Sequence, residues 1–345
     1  MRIGLQLSYA EGFEQAVAEL ADCEQAGLDL VVVPEAYSFD AVSQLGYLAA
    51  RTSRVALASG VMQLFSRTPT LTAMTAAGLD FVSGGRFTLG LGTSGPQVVE
   101  GFHGVPFDAP VGRTREVVEI CRRVWRREEL TYAGRHYRIP LPEGEGTGLG
   151  KPLKLINTPV RERIPILLGA VGPRNVELAA EIADGWQPLF FHPERADRAW
   201  GESLARGLAK RAPELGPLDV MVTAPLAFTD TPQAVWARHR QMLALYLGGM
   251  GAKEKNFSND LACRYGYADE AARVQELFLS GRRREAIAAV PEDLVRATCL
   301  AGPPGAIRDR LDALAAAGAT TLLVSPVADT RADRVRAIEQ LREMN

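Results

Sequence analysis

Eight short apolar segments, separated by segments with helical periodicity, constrain the fold of this 345-residue chain more than any single motif does. The expected strands are residues 3–7, 30–33, 55–61, 86–91, 164–168, 184–188, 219–228 and 321–324. The run at 30–33 is apolar throughout, which is typical of a strand buried on both faces of a parallel sheet. No long linker divides the chain. We therefore predict one α/β domain over residues 1–345, a single (β/α)8 TIM barrel with insertions at about 128–163 and 248–299.

The stretch SGGRFTLGLGTSGPQVVEG, residues 83–101, joins the fourth expected strand to a loop almost free of bulky side chains. Glycines directly after a strand allow backbone amides to approach a ligand closely. The stretch also contains G-x-G-x-x-G, the dinucleotide-binding fingerprint, between Gly90 and Gly95. That fingerprint should open a helix after the first strand of a Rossmann unit, whereas here Pro96 follows and the strand is the fourth. A binding loop at the end of a barrel strand is the better interpretation.

Composition restricts the class of partner. Hydrophobic residues make up 47% of the chain and charged residues 23%, so a large core is available. The net charge of −2 gives no basis for binding nucleic acid or an anionic membrane. No apolar run reaches membrane-spanning length, and the first residues lead straight into a strand rather than a signal peptide. We expect a cytoplasmic protein that binds a small-molecule substrate, with neither nucleic acid nor membrane as a partner.

Metal and covalent catalysis are not expected. The four cysteines lie far apart without C-x-x-C spacing and resemble small buried hydrophobic residues of a reducing compartment. None of the four histidines pairs with a second ligand at metal-binding spacing. The chain also lacks a G-x-S-x-G nucleophile elbow.

Four segments carry a resemblance to a known family. They are PEAYSFDAV (34–42), ASGVMQLFSRTPTLTAMTAAGLD (58–80), SGGRFTLGLGTSGPQVVEGFHG (83–104) and IPILLGAVGPRNVELAAEIADGW (164–186), with KNFSNDLACRYGY (255–267) typical of one subgroup. In order and spacing the chain resembles the bacterial-luciferase-like superfamily, in particular its deazaflavin-dependent branch, which includes the methylenetetrahydromethanopterin reductases. The resemblance implies a luciferase-like TIM barrel, often dimeric, that uses coenzyme F420 or reduced FMN.

The resemblance also implies a cofactor site. Ser59, Gly60 and Val61 match the place where relatives carry a non-proline cis peptide that supports the concave face of the bent deazaflavin ring. Gly92, Thr93 and Ser94 would border the ring and its ribityl chain. The loop Gly169, Ala170, Val171, Gly172 and Pro173 would receive the phosphate, because a helix N-terminus offers free amides and the positive end of its dipole.

Three residues are the catalytic candidates: Glu35, Tyr37 and His103. Glu35 is an ionisable group between a buried strand and a loop at the catalytic end of the barrel, and Tyr37 and His103 would line the substrate mouth. Relatives that oxidise sugar alcohols have Asp-His where this chain has Glu35-Ala36, and a glutamate near Gly95. Because both the histidine and that glutamate are missing, alcohol dehydrogenation by a histidine base is not favoured.

The leading hypothesis is an F420-dependent oxidoreductase that moves a hydride between C5 of the deazaflavin and an organic substrate, preferably an activated C=N or C=C bond. It implies a separate enzyme that reduces the cofactor, and a homodimer or higher homo-oligomer. One alternative keeps the fold but uses reduced FMN and O₂ as a monooxygenase. A second alternative is a flavin-binding barrel without turnover, since binding alone requires the same residues.

Overall fold

The structure, a computed structural model, describes residues 1–7, 12–253 and 255–345. Its strands are β1 (Arg2–Gln6), β2 (Leu30–Val33), β3 (Ala56–Ser59), β4 (Met62–Gln63), β5 (Phe87–Gly92), β6 (Tyr132–Ala133), β7 (Arg138–Ile139), β8 (Ile166–Gly169), β9 (Gly185–Gln187), β10 (Asp219–Phe228), β11 (Leu300–Gly302) and β12 (Thr321–Pro326). Its α-helices are α1 (Phe13–Gln25), α2 (Ala41–Arg51), α3 (Pro69–Val82), α4 (Pro96–Val99), α5 (Pro110–Trp125), α6 (Pro173–Ile182), α7 (Glu202–Leu208), α8 (Gln233–Gly249), α9 (Phe257–Tyr265), α10 (Ala268–Leu279), α11 (Arg283–Ala288), α12 (Glu292–Ala297), α13 (Pro304–Ala316) and α14 (Arg331–Met344).

The parallel strands close into a barrel. Around the ring the order is β1, β2, β3, β5, β8, β9, β10 and β12, and pairing of β12 with β1 and of β9 with β10 completes the circle. Helices follow the strands in sequence and cover the outside. The predicted (β/α)8 barrel is therefore confirmed, and its parallel strands all end at the same rim.

Apolar side chains fill the barrel and the layer between strands and helices. A small interior cluster comes from five different strands: Leu30, Val32, Ala58, Leu167, Met221 and Leu323. A much larger cluster joins the outward faces of the strands to the helices, and it contains the buried Trp125 and Trp186. Since the interior is packed solid, a ligand is accommodated at the rim rather than inside the barrel.

The sequence predicts that Asp40 caps the helix after the second strand and that Thr68-Pro69 starts the next helix, and both predictions are confirmed. Asp40 caps α2 by accepting a hydrogen bond from the amide of Ser43 at 2.8 Å. Thr68 caps α3 by accepting from the amide of Leu71 at 3.2 Å, and Pro69 occupies the first turn. These short-range caps satisfy amides that have no partner within the helix.

Several elements differ from expectation. The third strand, expected over 55–61, ends at Ser59, and a separate two-residue strand, β4, pairs with β5. The loop expected after Gly95 begins with the short helix α4, because proline is compatible with a first helical turn. The helix expected from Pro193 starts as a 3-10 turn, continues as a π-helix over Asp197–Gly201 and becomes α7. The short β11, which pairs with the end of β10, was not predicted.

The two insertions are present in outline. The sequence predicts a surface hairpin of residues 131–132 against 136–137. A hairpin is present, with β6 and β7 antiparallel, but its second strand is Arg138–Ile139 and Tyr132 lies opposite Ile139. The second insertion contains α9 to α12; residue 254, which falls within it, lies outside the described residues. Along the part of the chain that the structure describes, no helix is long and apolar enough to cross a membrane.

Candidate cofactor-binding site

A non-proline cis peptide joins Gly60 to Val61 at the rim, as the resemblance implied. The amide of Gly60 donates to the carbonyl of Val33 at 2.8 Å, which fixes the bend to the end of β2. A Cβ atom at position 60 would collide with Val32 Cγ1, so only glycine fits here. After the bend the chain continues into β4, and the side chain of Val61 is left only partly buried.

The side chain of Ser59 links two neighbouring strands of the barrel. This side chain is fully buried, and its Oγ both donates to the carbonyl and accepts from the amide of Gly90, each at 2.9 Å. A Cβ atom on residue 90 would collide with the carbonyl of Ser59. The hydroxyl of Ser59, a residue predicted to belong to the cofactor site, is therefore occupied in joining β3 to β5. This interaction links residues 31 positions apart, so the local sequence gave no sign of it.

Val61 rests on two glycines from neighbouring strands. Gly92 at the end of β5 and Gly169 at the end of β8 are paired in register. An added Cβ at Gly169 would be 3.1 Å from Val61 Cγ1, and one at Gly92 would collide with Val61 Cγ2. Three sequence segments that were predicted separately therefore meet at one place. They form a shallow apolar platform, defined here as Val61, Gly92 and Gly169.

Two glutamines beside the platform present polar atoms without partners. Gln63 pairs in register with Gly92, and Gln187 with Gly169. Gln63 is only 4% exposed, yet neither its Oε1 nor its Nε2 has a hydrogen-bond partner among the described residues. The buried Oε1 of Gln187 also has none. Buried amide groups normally find partners, so these atoms indicate a polar ligand edge at the rim.

Hydrogen bonds to two of its carbonyl groups hold the loop from Gly169 to Pro173 in place. The indole of Trp186 donates to the carbonyl of Ala170 at 2.9 Å, and the indole of Trp200 donates to that of Val171 at 2.9 Å. No side chain caps α6 among the described residues, so its first-turn amides lack intrahelical partners. An added Cβ at Gly172 would meet no atom within 4 Å. The amide of Ala170 donates to the carbonyl of Gln187 at 3.2 Å, so the free amides lie at the start of α6, beside open space, as an anion site requires.

Arg264 is a residue of this loop's surroundings to which the sequence assigned no role. Its guanidinium donates to the carbonyl of Val171 at 2.9 Å, and its buried Nε has no partner among the described residues. Burial lowers the pKa of the guanidinium from its usual value, but arginine stays charged at neutral pH. A half-buried cation therefore lies beside the free N-terminus of α6. The only sequence signal for Arg264 is its position in the stretch 255–267, which is typical of one subgroup of the family that the chain resembles.

Thr93 and Ser94 continue the rim beyond Gly92. Both are partly buried. Ser94 adopts a left-handed backbone conformation with φ of 55°, and the hydroxyl of Thr93 donates to its carbonyl at 3.4 Å. The structure thus places both residues next to the platform.

Glu35 is engaged in a bidentate ion pair. Arg67 donates to its two carboxylate oxygens at 2.7 and 3.1 Å, and the amides of Gln63 and Ala41 donate at 3.3 and 2.9 Å. The two side chains are only 7% and 16% exposed. Both oxygens are therefore used in tying the loop after β2 to the loop after β4. This arrangement suits a positioning residue better than the proton donor that the sequence suggested.

Tyr37 and His103 lie together on the mouth. The ring of Tyr37 is 59% exposed and its centroid is 6.3 Å from that of Phe102. Phe102 in turn makes an edge contact with His103 at 5.2 Å. The Nε2 atom of His103 is buried and has no partner within the described part of the chain. The phenol and the imidazole are two polar groups of this corner.

Within residues 1–7, 12–253 and 255–345, no group of three or more His, Cys, Asp or Glu side chains could hold a metal ion. Burial raises the pKa of Cys23, Cys121 and Cys299 to about 12, which keeps these thiols protonated and unreactive at neutral pH.

The site as a whole fits a flat ring system with an anionic tail. The apolar platform provides a surface for a ring face, and the amide group of Gln63 and the Oε1 atom of Gln187, which have no partners among the described residues, fit polar ring edges. The loop at 169–173, with Arg264, extends from the platform and fits a phosphate. The fold and the site together define a TIM-barrel protein built to bind a flavin-like cofactor at its carboxyl-terminal rim.

Comparison with known proteins gives the family. The model of the luciferase-like monooxygenase family matches residues 1–321, and the chain belongs to this family. A protein of Mycobacterium tuberculosis with the provisional name of a coenzyme F420-dependent oxidoreductase is 46% identical over 332 residues, which cover 94% of this chain and 95% of the relative. The 5,10-methylenetetrahydromethanopterin reductase of Archaeoglobus fulgidus is 26% identical over 323 residues, 91% of this chain and 90% of the relative.

Solved structures share the architecture. The coenzyme F420-dependent tetrahydromethanopterin reductase of Methanopyrus kandleri superposes with a TM-score of 0.81 at 21% identity, covering 100% of this chain and 99% of that one. An F420-dependent secondary alcohol dehydrogenase in complex with an F420-acetone adduct superposes with a TM-score of 0.71 at 15% identity, covering 99% and 98%. At these identities the similarity establishes the fold.

Proposed function

We propose that the chain is an oxidoreductase that uses coenzyme F420. The observation that carries the proposal is the contact of Val61 with Gly92 and Gly169. Because Gly169 is also the first residue of the open loop at 169–173, the apolar platform and this loop adjoin. A relative 46% identical over nearly the whole chain carries the provisional name of an F420-dependent oxidoreductase, which supports the same choice.

Each part of the site has a role in this proposal. Gly60 and Val61 support the ring, and Gln63 and Gln187 receive its polar edges. The free amides at the start of α6 and the guanidinium of Arg264 hold the phosphate. When bound, the deazaflavin supplies two-electron hydride chemistry at C5, while the protein contributes position and electrostatics.

The substrate side of the proposal is an activated C=N or C=C bond that accepts the hydride. Glu35 and Arg67 keep the loops after β2 and β4 in place. Tyr37 and His103 are then the groups at the mouth that hold or deliver a proton. A separate enzyme that reduces the deazaflavin completes the cycle.

Isotope labelling tests the reaction type. With reduced F420 labelled with deuterium at C5 and a panel of conjugated acceptors, mass spectrometry should find one deuterium in the product. The family also contains monooxygenases, and a match to its model makes reduced FMN with O₂ the second candidate function. Product that contains oxygen-18 from labelled O₂, and no deuterium, would replace our proposal with that one.

We also propose that a second copy of the chain covers α3. Its exposed face carries large apolar side chains at helical spacing: Leu71, Met74, Phe81 and Val82. Gly78 on this helix has no atom within 4 Å of an added Cβ, so another helix can approach closely. Analytical ultracentrifugation should find a dimer, and Met74→Glu should dissociate it. The matched control Leu208→Glu, on exposed α7, should leave it intact; a monomeric wild type contradicts the proposal.

A further inference from the structure

Four aromatic rings lie at the mouth of the barrel, in two pairs. They are Phe102 after β5, Tyr37 after β2, Tyr246 near the end of α8 and Phe190 after β9, and we refer to them as the aromatic bridge. The ring centroids of Phe102 and Tyr37 are 6.3 Å apart, and those of Tyr246 and Phe190 are 5.1 Å apart. Burial raises the pKa of Tyr246 above its usual value, and the nearby Tyr37 raises it further.

The residues of the bridge come from opposite sides of the rim. In the ring of strands, β2 and β9 are separated by three strands in one direction and by three in the other. Tyr37 projects from the end of β2, and Phe190 from the end of β9. Aromatic side chains therefore follow strands on two opposite sides of the rim at which the platform of Val61, Gly92 and Gly169 lies.

Phe190 is held in an unfavourable backbone conformation. Its φ of 47° lies in the left-handed region, where a bulky residue is an outlier. The hydroxyl of the buried Tyr265 donates to the carbonyl of Phe190 at 2.9 Å and accepts from the amide of His192 at 3.2 Å. Such strain persists when the surroundings enforce it, and it is common at ligand-binding positions. Here it keeps the Phe190 ring against Tyr246.

Exposure indicates that the rings lack a partner surface. Tyr37 is 59% exposed, Phe102 66% and the adjacent Phe39 81%. Exposed apolar groups clustered at a functional mouth mark a binding surface. Aromatic rings bind other flat rings through offset or edge contacts.

Charged groups near this corner are mostly neutralised by each other. Arg67 pairs with Glu35 at 2.7 Å, and Arg113 pairs with Asp108 at 2.9 Å. Lys255 lies over the ring of Phe107 at 5.7 Å, and Phe107 packs against Phe65, which Arg113 also contacts, so Lys255 is a cation that we test for an anionic substrate. The bridge itself contains two phenols and two hydrocarbon rings, which favour an uncharged ligand.

We propose that the substrate of this site is an uncharged, flat, conjugated ring compound that the aromatic bridge binds by ring contact. The inference deepens the proposed function by naming the substrate class, and it rests on that function for its place in the reaction. Because the proposed ring contacts involve only residues of the protein, binding of the compound can be measured without turnover.

Calorimetric titration with naphthoquinone and with its ring sulfonate tests the inference. We expect the neutral quinone to bind at least about tenfold more tightly than the sulfonate, since nothing compensates the desolvation of the anion. Phe102→Ala and Tyr246→Ala should each weaken binding of the neutral quinone by about fivefold, because each removes one ring contact. Leu208→Ala, an exposed apolar residue on α7, is the control and should have no effect.

Two results overturn the inference. One is equal or tighter binding of the sulfonate, especially if Lys255→Ala abolishes it, since the site would then select anions. The other is unchanged quinone affinity in both bridge variants while circular dichroism indicates a native fold. The titrations are run with and without F420. If F420 fails to bind while the quinone preference and its loss in the variants persist, the cofactor proposal fails and the substrate inference stands.

Discussion

The Cγ2 methyl of Val61 occupies the space in which a Cβ atom of residue 92 would lie, so Val61 and Gly92 are in direct side-chain-to-backbone contact. Gly92→Ala should displace Val61 from the platform. We expect roughly tenfold weaker binding of F420 and a loss of about 1–3 kcal/mol in the free energy of unfolding, typical of overpacking.

The control for this change is Gly305→Ala, in the first turn of α13, where an added Cβ meets no atom within 4 Å. It should keep wild-type affinity. Fluorescence titration and urea denaturation measure the two quantities. Wild-type F420 affinity in Gly92→Ala would argue against Val61 and Gly92 as the ring support.

The phosphate end of the site can be tested through Arg264. Arg264→Ala removes a cation and the donor to the carbonyl of Val171. We expect at least about tenfold weaker binding of F420 but little change for the deazaflavin that lacks the phosphorylated tail, because charge-assisted hydrogen bonds contribute about 1.5–3 kcal/mol each. Equal losses for both ligands would indicate that Arg264 only maintains the loop.

Gly172→Trp examines the same subsite by filling it. Open space around Gly172 predicts a folded protein that no longer binds the phosphate. Gly305→Trp, at the start of α13, is the matched control. Gly60→Trp is unsuitable, since a side chain at Gly60 would collide with Val32 and disturb the barrel itself. Unchanged F420 binding by a folded Gly172→Trp variant would exclude this loop as the phosphate site.

Glu35 offers a test that separates structure from catalysis. Glu35→Gln leaves the guanidinium of Arg67 without its counter-ion in a site where the two side chains are only 16% and 7% exposed. We expect the free energy of unfolding to fall by about 3 kcal/mol, and Glu35→Gln/Arg67→Gln to recover part of it. Turnover at temperatures where the single variant is folded should persist. Abolished turnover with unchanged stability would identify Glu35 as the proton donor instead.

His239 predicts a pH dependence of stability. It is 3% exposed, its Nε2 lies 2.7 Å from Thr298 Oγ1, and burial lowers its pKa from 6.5 to about 4. Between pH 6.5 and about 4 the unfolded state binds the proton that the folded state excludes, so stability falls as pH falls through this window. The histidine should account for about 2 kcal/mol of the loss between pH 7 and pH 5.

The variant His239→Gln cannot titrate and should show a correspondingly smaller difference in urea stability between pH 7 and pH 5. His136→Gln, on the hairpin, is the control histidine and should retain the wild-type difference. An identical pH dependence in wild type and His239→Gln would contradict the assignment.

The sequence predicts those features of this protein that neighbouring residues determine. The caps at Asp40 and Thr68 act over three residues, and the continuous apolar run of β2 requires burial on both faces, so these elements were identified correctly. The bond between Ser59 and Gly90 and the contact of Arg264 with Val171 span 31 and 93 residues. Nothing local encodes such contacts, which is why the role of Ser59 differed from expectation and that of Arg264 was missed.

Glu35 illustrates the same limit at the site. A carboxylate after a buried strand suggested an acid, and its position at the rim was correct. Its ion pair with Arg67, 32 residues away, depends on how the loops after β2 and β4 approach each other in the closed barrel. The chemical type of a site residue can thus be predicted from the sequence, whereas its interaction partners can be identified only once the fold is known.

The most direct test of the central claim is equilibrium titration of the purified protein with F420 and, in parallel, with FMN, followed by absorbance and fluorescence quenching. The account predicts saturable F420 binding that is much tighter than FMN binding and that is lost in Gly172→Trp but retained in Gly305→Trp. Tight FMN binding without a response to F420 would contradict it and make the oxygen-dependent monooxygenase the better description.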